Sequence, residues 1–151
     1  METVISVDSD IAWLRRVKES VPPTSANIYL CHARIGEVGD WGVPQNSDCY
    51  RSFWKYTVLP WDIVRQNSFK PDTILIDGRF RVSCFLYSLL HAPFGAQLYF
   101  DDFFDRPEYQ AVLQFARVAR AAGRMAVFEV ADGFCTKTLV TELSRYIVDW
   151  D

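Results

Sequence analysis

The sequence is poor in the residues from which metal and disulfide sites are built. Its four cysteines, Cys31, Cys49, Cys84 and Cys135, form no CxxC pair, and its two histidines stand at no metal-ligand spacing from them. This excludes a zinc finger or ribbon and a disulfide framework, and leaves the cysteines as reduced core thiols. No charge of one sign dominates: 16 Lys and Arg stand against 19 Asp and Glu, a net charge of -3, so neither nucleic acid nor a membrane surface is an expected partner. No apolar run reaches the roughly 20 residues of a membrane-spanning helix. The opening METVISVDSD is acidic where a secretion signal is basic, and a cytoplasmic location is the expectation.

What remains is a chain that is 50% hydrophobic, 15% aromatic and 23% charged over 151 residues. That suits a single folded domain, 1–151, around one core. A β-branched run at 3–7 opens into Asp8, Ser9 and Asp10, and Ile11, Leu14 and Val17 then recur at helical spacing behind the cap that Asp10 supplies. A second strand is expected at 27–31. The Gly- and Pro-bearing stretch 36–47 reads as a loop that Trp41 folds back onto the body. Residues 50–66 are aromatic and helical in pattern, with Pro60 ending or kinking the helix.

Ile74 to Ile76 continue the apolar run begun at Thr73, as a parallel strand covered on both faces requires, and the run stops at Asp77-Gly78. The unit repeats: helix 82–90, turn 93–95, strand 96–100, then Asp101-Asp102. A helix starting at Pro107 and stopped by Gly123, a strand at 125–130, a helix from Thr136 and a terminal strand at 146–148 complete the reading. Such alternation predicts an α/β, Rossmann-like fold with a mostly parallel sheet and helices on both faces. Ligands of such sheets gather beyond the carboxyl ends of the strands, where Asp8, Asp77, Asp101 and Asp102 fall. Arg79, Arg81 and Arg106 lie beside these acids in the chain, as anion clamps for a substrate or as partners of the acids themselves.

Four segments, SVDSD at 6–10, LIDGRFR at 75–81, FDDFFDRPEY at 100–109 and GRMAVFE at 123–129, together resemble class I S-adenosylmethionine-dependent methyltransferases, over nearly the whole chain. The resemblance implies a cofactor, S-adenosylmethionine, and a small-molecule methyl acceptor. It places Asp8 on the cofactor's ribose hydroxyls, Ala33 and Arg34 beside the adenine, and Asp77 near the methionine portion and the reacting methyl. Asp77 and Asp101 are the implied catalytic acids, with Arg79, Arg81 and Arg106 on the substrate. Arg34 stands where many relatives carry an acid for the adenine amino group, a bond that a guanidinium cannot accept. Asp77, Asp101 and Asp102 are similar to the ion site of the metal-dependent O-methyltransferases, but Asp102 replaces an Asn there, and no metal site is assigned.

The resemblance also implies a first strand followed by a glycine-rich turn, whereas this sequence opens at the counterpart of the second strand. The fold expected is therefore incomplete at its N-terminus, from a longer reading frame or from a lineage that has lost the turn. An alternative role follows: a non-catalytic remnant serving as a binding or assembly module. Since that strand lies between the second and fourth of the family, two open edges are expected. They would be closed by pairing with each other or with another copy in a homo-oligomer, or leave the domain marginal.

Overall fold

Strand β1 (Thr3–Asp8) pairs in parallel with β2 (Asn27–His32), from Thr3 opposite Asn27 to Asp8 opposite His32. Helix α1 (Ile11–Ser20) makes the crossover, opened by Asp10, whose Oδ1 accepts the N–H groups of Ala12 and Trp13. The computed structural model describes residues 2–151. Helix α2 (Trp54–Asn67) leads to β3 (Thr73–Ile76), α3 (Arg81–His91) and β4 (Gln97–Phe100), and β3 and β4 are again parallel. Strand β5 (Val118–Ala122), β6 (Met125–Glu129) and α4 (Thr136–Tyr146) close the chain.

The sheet differs from the mostly parallel one expected. Among the described residues there are two small sheets, β1-β2 and a mixed one in the order β3-β4-β6-β5, in which β6 runs antiparallel to both neighbours. The mixture arises where a helix was expected to run to residue 122. Pro107 does start a helical stretch, but it is a 3-10 segment ending at Gln114. Residues 118–122 are instead extended and turn directly into β6 at Gly123-Arg124. Gly123 has φ +63. A glycine that permits positive φ serves a tight hairpin as well as a helix stop, so the residue type alone did not separate the two.

Other expectations also give way. Of the two outcomes expected at Pro60, an end of the helix gives way, since α2 continues through it; the ring leaves the Tyr56 carbonyl without its helical partner, and buried Tyr56, Thr57 and Trp61 hold the helix against the body. The terminal strand at 146–148 does not form: Tyr146 ends α4, and Trp150 returns edge-on to the Phe53 ring at 5.5 Å. Cys49 and Cys135 are exposed rather than core thiols.

Helix α3 buries Val82, Phe85, Leu86 and Leu89, at about 1.5–3 kcal/mol for each fully buried side chain. Phe85 meets Phe100 of β4 and Phe128 of β6 in the larger core. A second cluster, Ala33, Ile35, Phe53, Tyr56 and Phe80, has Val7 of β1 against it and joins the β1-β2 unit to the start of α3. The edges of β1 and β3 that would flank a further strand do not pair with each other, contrary to one expectation. Val4 on β1 and Leu75 on β3 remain 50% and 61% exposed.

Candidate functional site at the carboxyl edge

Because β3 and β4 are parallel, their following residues emerge side by side, and the Asp101 N–H extends the ladder to the Ile76 carbonyl at 3.0 Å. One carboxylate oxygen from each of Asp77, Asp101 and Asp102 lies within 4.8 Å of the others. Two guanidiniums hold these acids. Arg124 donates to both oxygens of Asp101 at 2.8 and 2.6 Å and approaches Asp102 at 3.3 Å. Arg81 donates to the Asp101 and Gly78 carbonyls at 2.9 and 3.0 Å, lies 3.2 Å from Asp102 and 3.4 Å from Asp77, and stacks over Tyr109.

Asp101, expected as a catalytic acid, is fully buried with both oxygens bound; its geometry is that of a brace across the strand ends. Burial opposes its ionisation, but Arg124, the Asp77 hydrogen bond and the Asp102 N–H together keep its carboxyl below the ordinary range. The reverse holds for Asp77, whose side chain is half exposed. Partial burial, then the hydrogen bond to Asp101 and that neighbour's charge, push its pKa up against the pull of Arg81 and Arg124. Asp77 is thus the acid at this edge with room for a ligand. A cation does not fit the cluster as arranged, since the Asp101 and Asp102 oxygens are engaged by guanidiniums that already supply positive charge.

At the end of β1, Asp8 Oδ1 accepts the Asp10 N–H at 2.7 Å. Burial, and then the nearby Asp10 charge, raise the Asp8 pKa although this backbone bond works against the rise. The two strand units meet at Tyr56. Its hydroxyl accepts the Arg79 N–H at 3.3 Å, just beyond β3, while its own ionisation is suppressed by burial and by the charges of Cys84 and Asp8. Gly78 is required at this contact, because a Cβ there would run into the Tyr56 hydroxyl and lie 3.1 Å from Cζ. Asp8 ends β1 in one sheet and Asp77 follows β3 in the other, rather than both lying on one parallel sheet as their common position after apolar runs predicts.

Ala33 is buried and its N–H donates to the Asp8 carbonyl at 2.9 Å. Arg34 is exposed and, with His32, Ala33, Trp54, Lys55 and Leu59, lines a cleft of about 230 Å³. His32 is bound through Nε2 to the Ser9 carbonyl at 3.0 Å. The 36–47 loop does fold back, but through Gly42, whose carbonyl accepts the Ser9 hydroxyl at 2.8 Å. Trp41, expected to anchor that loop, is 90% exposed with φ 60. The three candidate arginines part company: Arg81 is 6% exposed and spent on the acids and carbonyls above, Arg106 reaches Glu108 at 3.6 Å, and Arg79 reaches no acid among the described residues.

Tyr56 and Arg124 were not legible as site residues. Tyr56 sits in an aromatic helix whose pattern signals only packing. Arg124 follows the glycine that reads as a helix stop, and only the antiparallel pairing of Phe100 with Ala126 brings the hairpin turn over the end of β4.

Acids at the ends of β1, β3 and β4 and strands in the order β2-β1 and β3-β4-β6-β5 make this an α/β fold with an acidic carboxyl edge. The chain is similar to a solved methyltransferase-like protein from Silicibacter pomeroyi DSS-3, with a TM-score of 0.84 and 31% identity over 97% of this chain and 77% of that one. On that kinship the chain belongs to this methyltransferase-like family. No protein-family profile and no curated protein matches the sequence. No helix among the described residues is long and apolar enough to cross a membrane.

Proposed function

We propose that this chain binds S-adenosylmethionine at the edge between β1 and β3 and transfers its methyl group to a small-molecule acceptor. The observation that supports the reading is that Tyr56, in the cluster with Val7 of β1 packed against it, also accepts the Arg79 N–H just beyond β3, so one side chain ties the strand ends that carry Asp8 and Asp77. In this reading Asp8 accepts the two ribose hydroxyls, work that suits a carboxylate, Ala33 and Arg34 border the adenine, and Asp77 lies beside the methionine portion and the acceptor. The cofactor, when bound, supplies a methyl on a positively charged sulfur, so the protein's task is chiefly alignment. Tyr56 and Gly78 fix the backbone that carries Asp77, while Arg81 and Arg124 brace it. Isothermal titration with S-adenosylmethionine and S-adenosylhomocysteine tests this. Saturable binding is expected, and Asp8→Ala should weaken it by about tenfold or more, as loss of hydrogen bonds to a charged acceptor entails.

A second reading is favoured by the unpaired edges of β1 and β3: a non-catalytic module that binds or assembles through them, as a homo-oligomer of this chain. Folded protein that binds neither nucleoside would favour it.

A further inference from the structure

The end of β3 carries a guanidinium that the chain itself does not satisfy. Arg79 follows Gly78 in the turn between β3 and α3, and both of its backbone groups are engaged: its N–H donates to the Tyr56 hydroxyl at 3.3 Å, and its carbonyl accepts from Cys84 Sγ at 3.7 Å. The backbone at Arg79 is therefore held. The head is different. Arg79 Nε is buried and has no hydrogen-bond partner, and no acid lies within ion-pair distance among the described residues. Its positive charge opposes the rise in pKa that burial causes at both Tyr56 and Tyr109, and Arg79 stands two residues beyond Asp77 in the same turn. A buried N–H without an acceptor is costly and rare in native proteins. Arg81, Arg106 and Arg124 all have acids. The missing acceptor at Arg79 thus marks a place for an anion from outside the chain.

We infer that Arg79 is an anion-binding residue that holds the carboxylate of a ligand at this edge. The inference rests on the proposed methyl-transfer reading and adds the chemical class that the site selects. A carboxylate matches the planar fork of one guanidinium. A phosphate dianion matches less well, because Arg79 offers one positive charge: Arg81 and Arg124 are already engaged by Asp77, Asp101 and Asp102. The carboxylate has two sources, the amino-acid tail of the cofactor or the methyl acceptor.

Titration separates them. Wild type, Arg79→Gln and Arg79→Lys are compared for binding of S-adenosylhomocysteine, of 5′-methylthioadenosine, which lacks the amino-acid tail, and of benzoate against its uncharged analogue benzamide. Arg145→Gln on α4 is the control for loss of a surface arginine. If the cofactor's tail is held, Arg79→Gln weakens S-adenosylhomocysteine by about tenfold to a hundredfold and leaves methylthioadenosine unchanged. Should the acceptor's carboxylate be held, the same variant abolishes the preference for benzoate over benzamide and leaves both nucleosides alone. Arg79→Lys, which keeps charge but not the fork, is expected to fall between, and it serves alone if the Gln variant does not fold. Nucleoside binding by wild type with every affinity preserved in a folded Arg79 variant overturns the inference and leaves the methyl-transfer reading standing. Arg79-dependent benzoate binding without nucleoside binding does the opposite, and a folded wild type that binds no probe overturns both.

Discussion

Replacing Gly78 by Ala tests the contact on which the whole edge is hung. The added Cβ would overlap the Tyr56 hydroxyl and lie 3.1 Å from Cζ and 3.5 Å from Cε1. Tyr56 cannot simply withdraw, since it is 7% exposed and packed on Phe80 with ring centroids 5.4 Å apart. Restoring normal contact needs a shift of roughly an ångström, and overpacking of this kind costs about 1–3 kcal/mol. The shift also breaks the bond from the Arg79 N–H, for about 1 kcal/mol more. Tyr56→Phe alone loses only that bond. In the double variant the overlapping oxygen is gone and the bond is lost once, so Tyr56→Phe should recover about 1–2 kcal/mol in the Gly78→Ala background. Urea unfolding of the four proteins measures the coupling if the denaturant slope is constant across them. For a chain of this length each kcal/mol moves the midpoint of thermal unfolding by about 2–4 °C. Free energies that add within about 0.5 kcal/mol would refute the reasoning.

Two further outcomes are expected. Asp77 has a raised pKa in the folded chain, chiefly from burial and then from Asp101, so its contribution to stability is full below the unfolded carboxylate pKa and declines as pH rises through the folded value. Asp77→Asn should therefore be more stable than wild type at neutral pH, with the gain vanishing below about pH 4; a variant less stable at pH 7 would contradict this. Among the described residues β1 and β3 each pair on one side only, and each strand hydrogen bond left unmade at such an edge is worth about 1 kcal/mol against a domain stability of about 5–15 kcal/mol. Light scattering after size exclusion is accordingly expected to show self-association that grows with concentration, or a urea melt a low midpoint. A monodisperse monomer of ordinary stability would contradict that expectation.

The sequence by itself determined the elements whose signals are local. The Asp10 cap, the apolar runs of β1 and β3 and the acids that terminate them can be read from a few consecutive residues, because strand burial and helix capping act at short range. Asp8 and Asp77 as the residues at strand ends follow directly. The tertiary structure decided what depends on distant partners. Whether 118–122 is helix or strand turned on its pairing with β6, which a Gly123 compatible with both could not reveal, and that pairing brought Arg124 to Asp101. Whether Asp101 is a reactive acid or a brace, and whether Arg79 or Arg81 is the unspent cation, depended on which charges share one enclosed edge. Burial and ion pairing are properties of assembled surfaces, and residues 81, 101 and 124 acquire theirs only when β3, β4 and the β5-β6 hairpin are packed together.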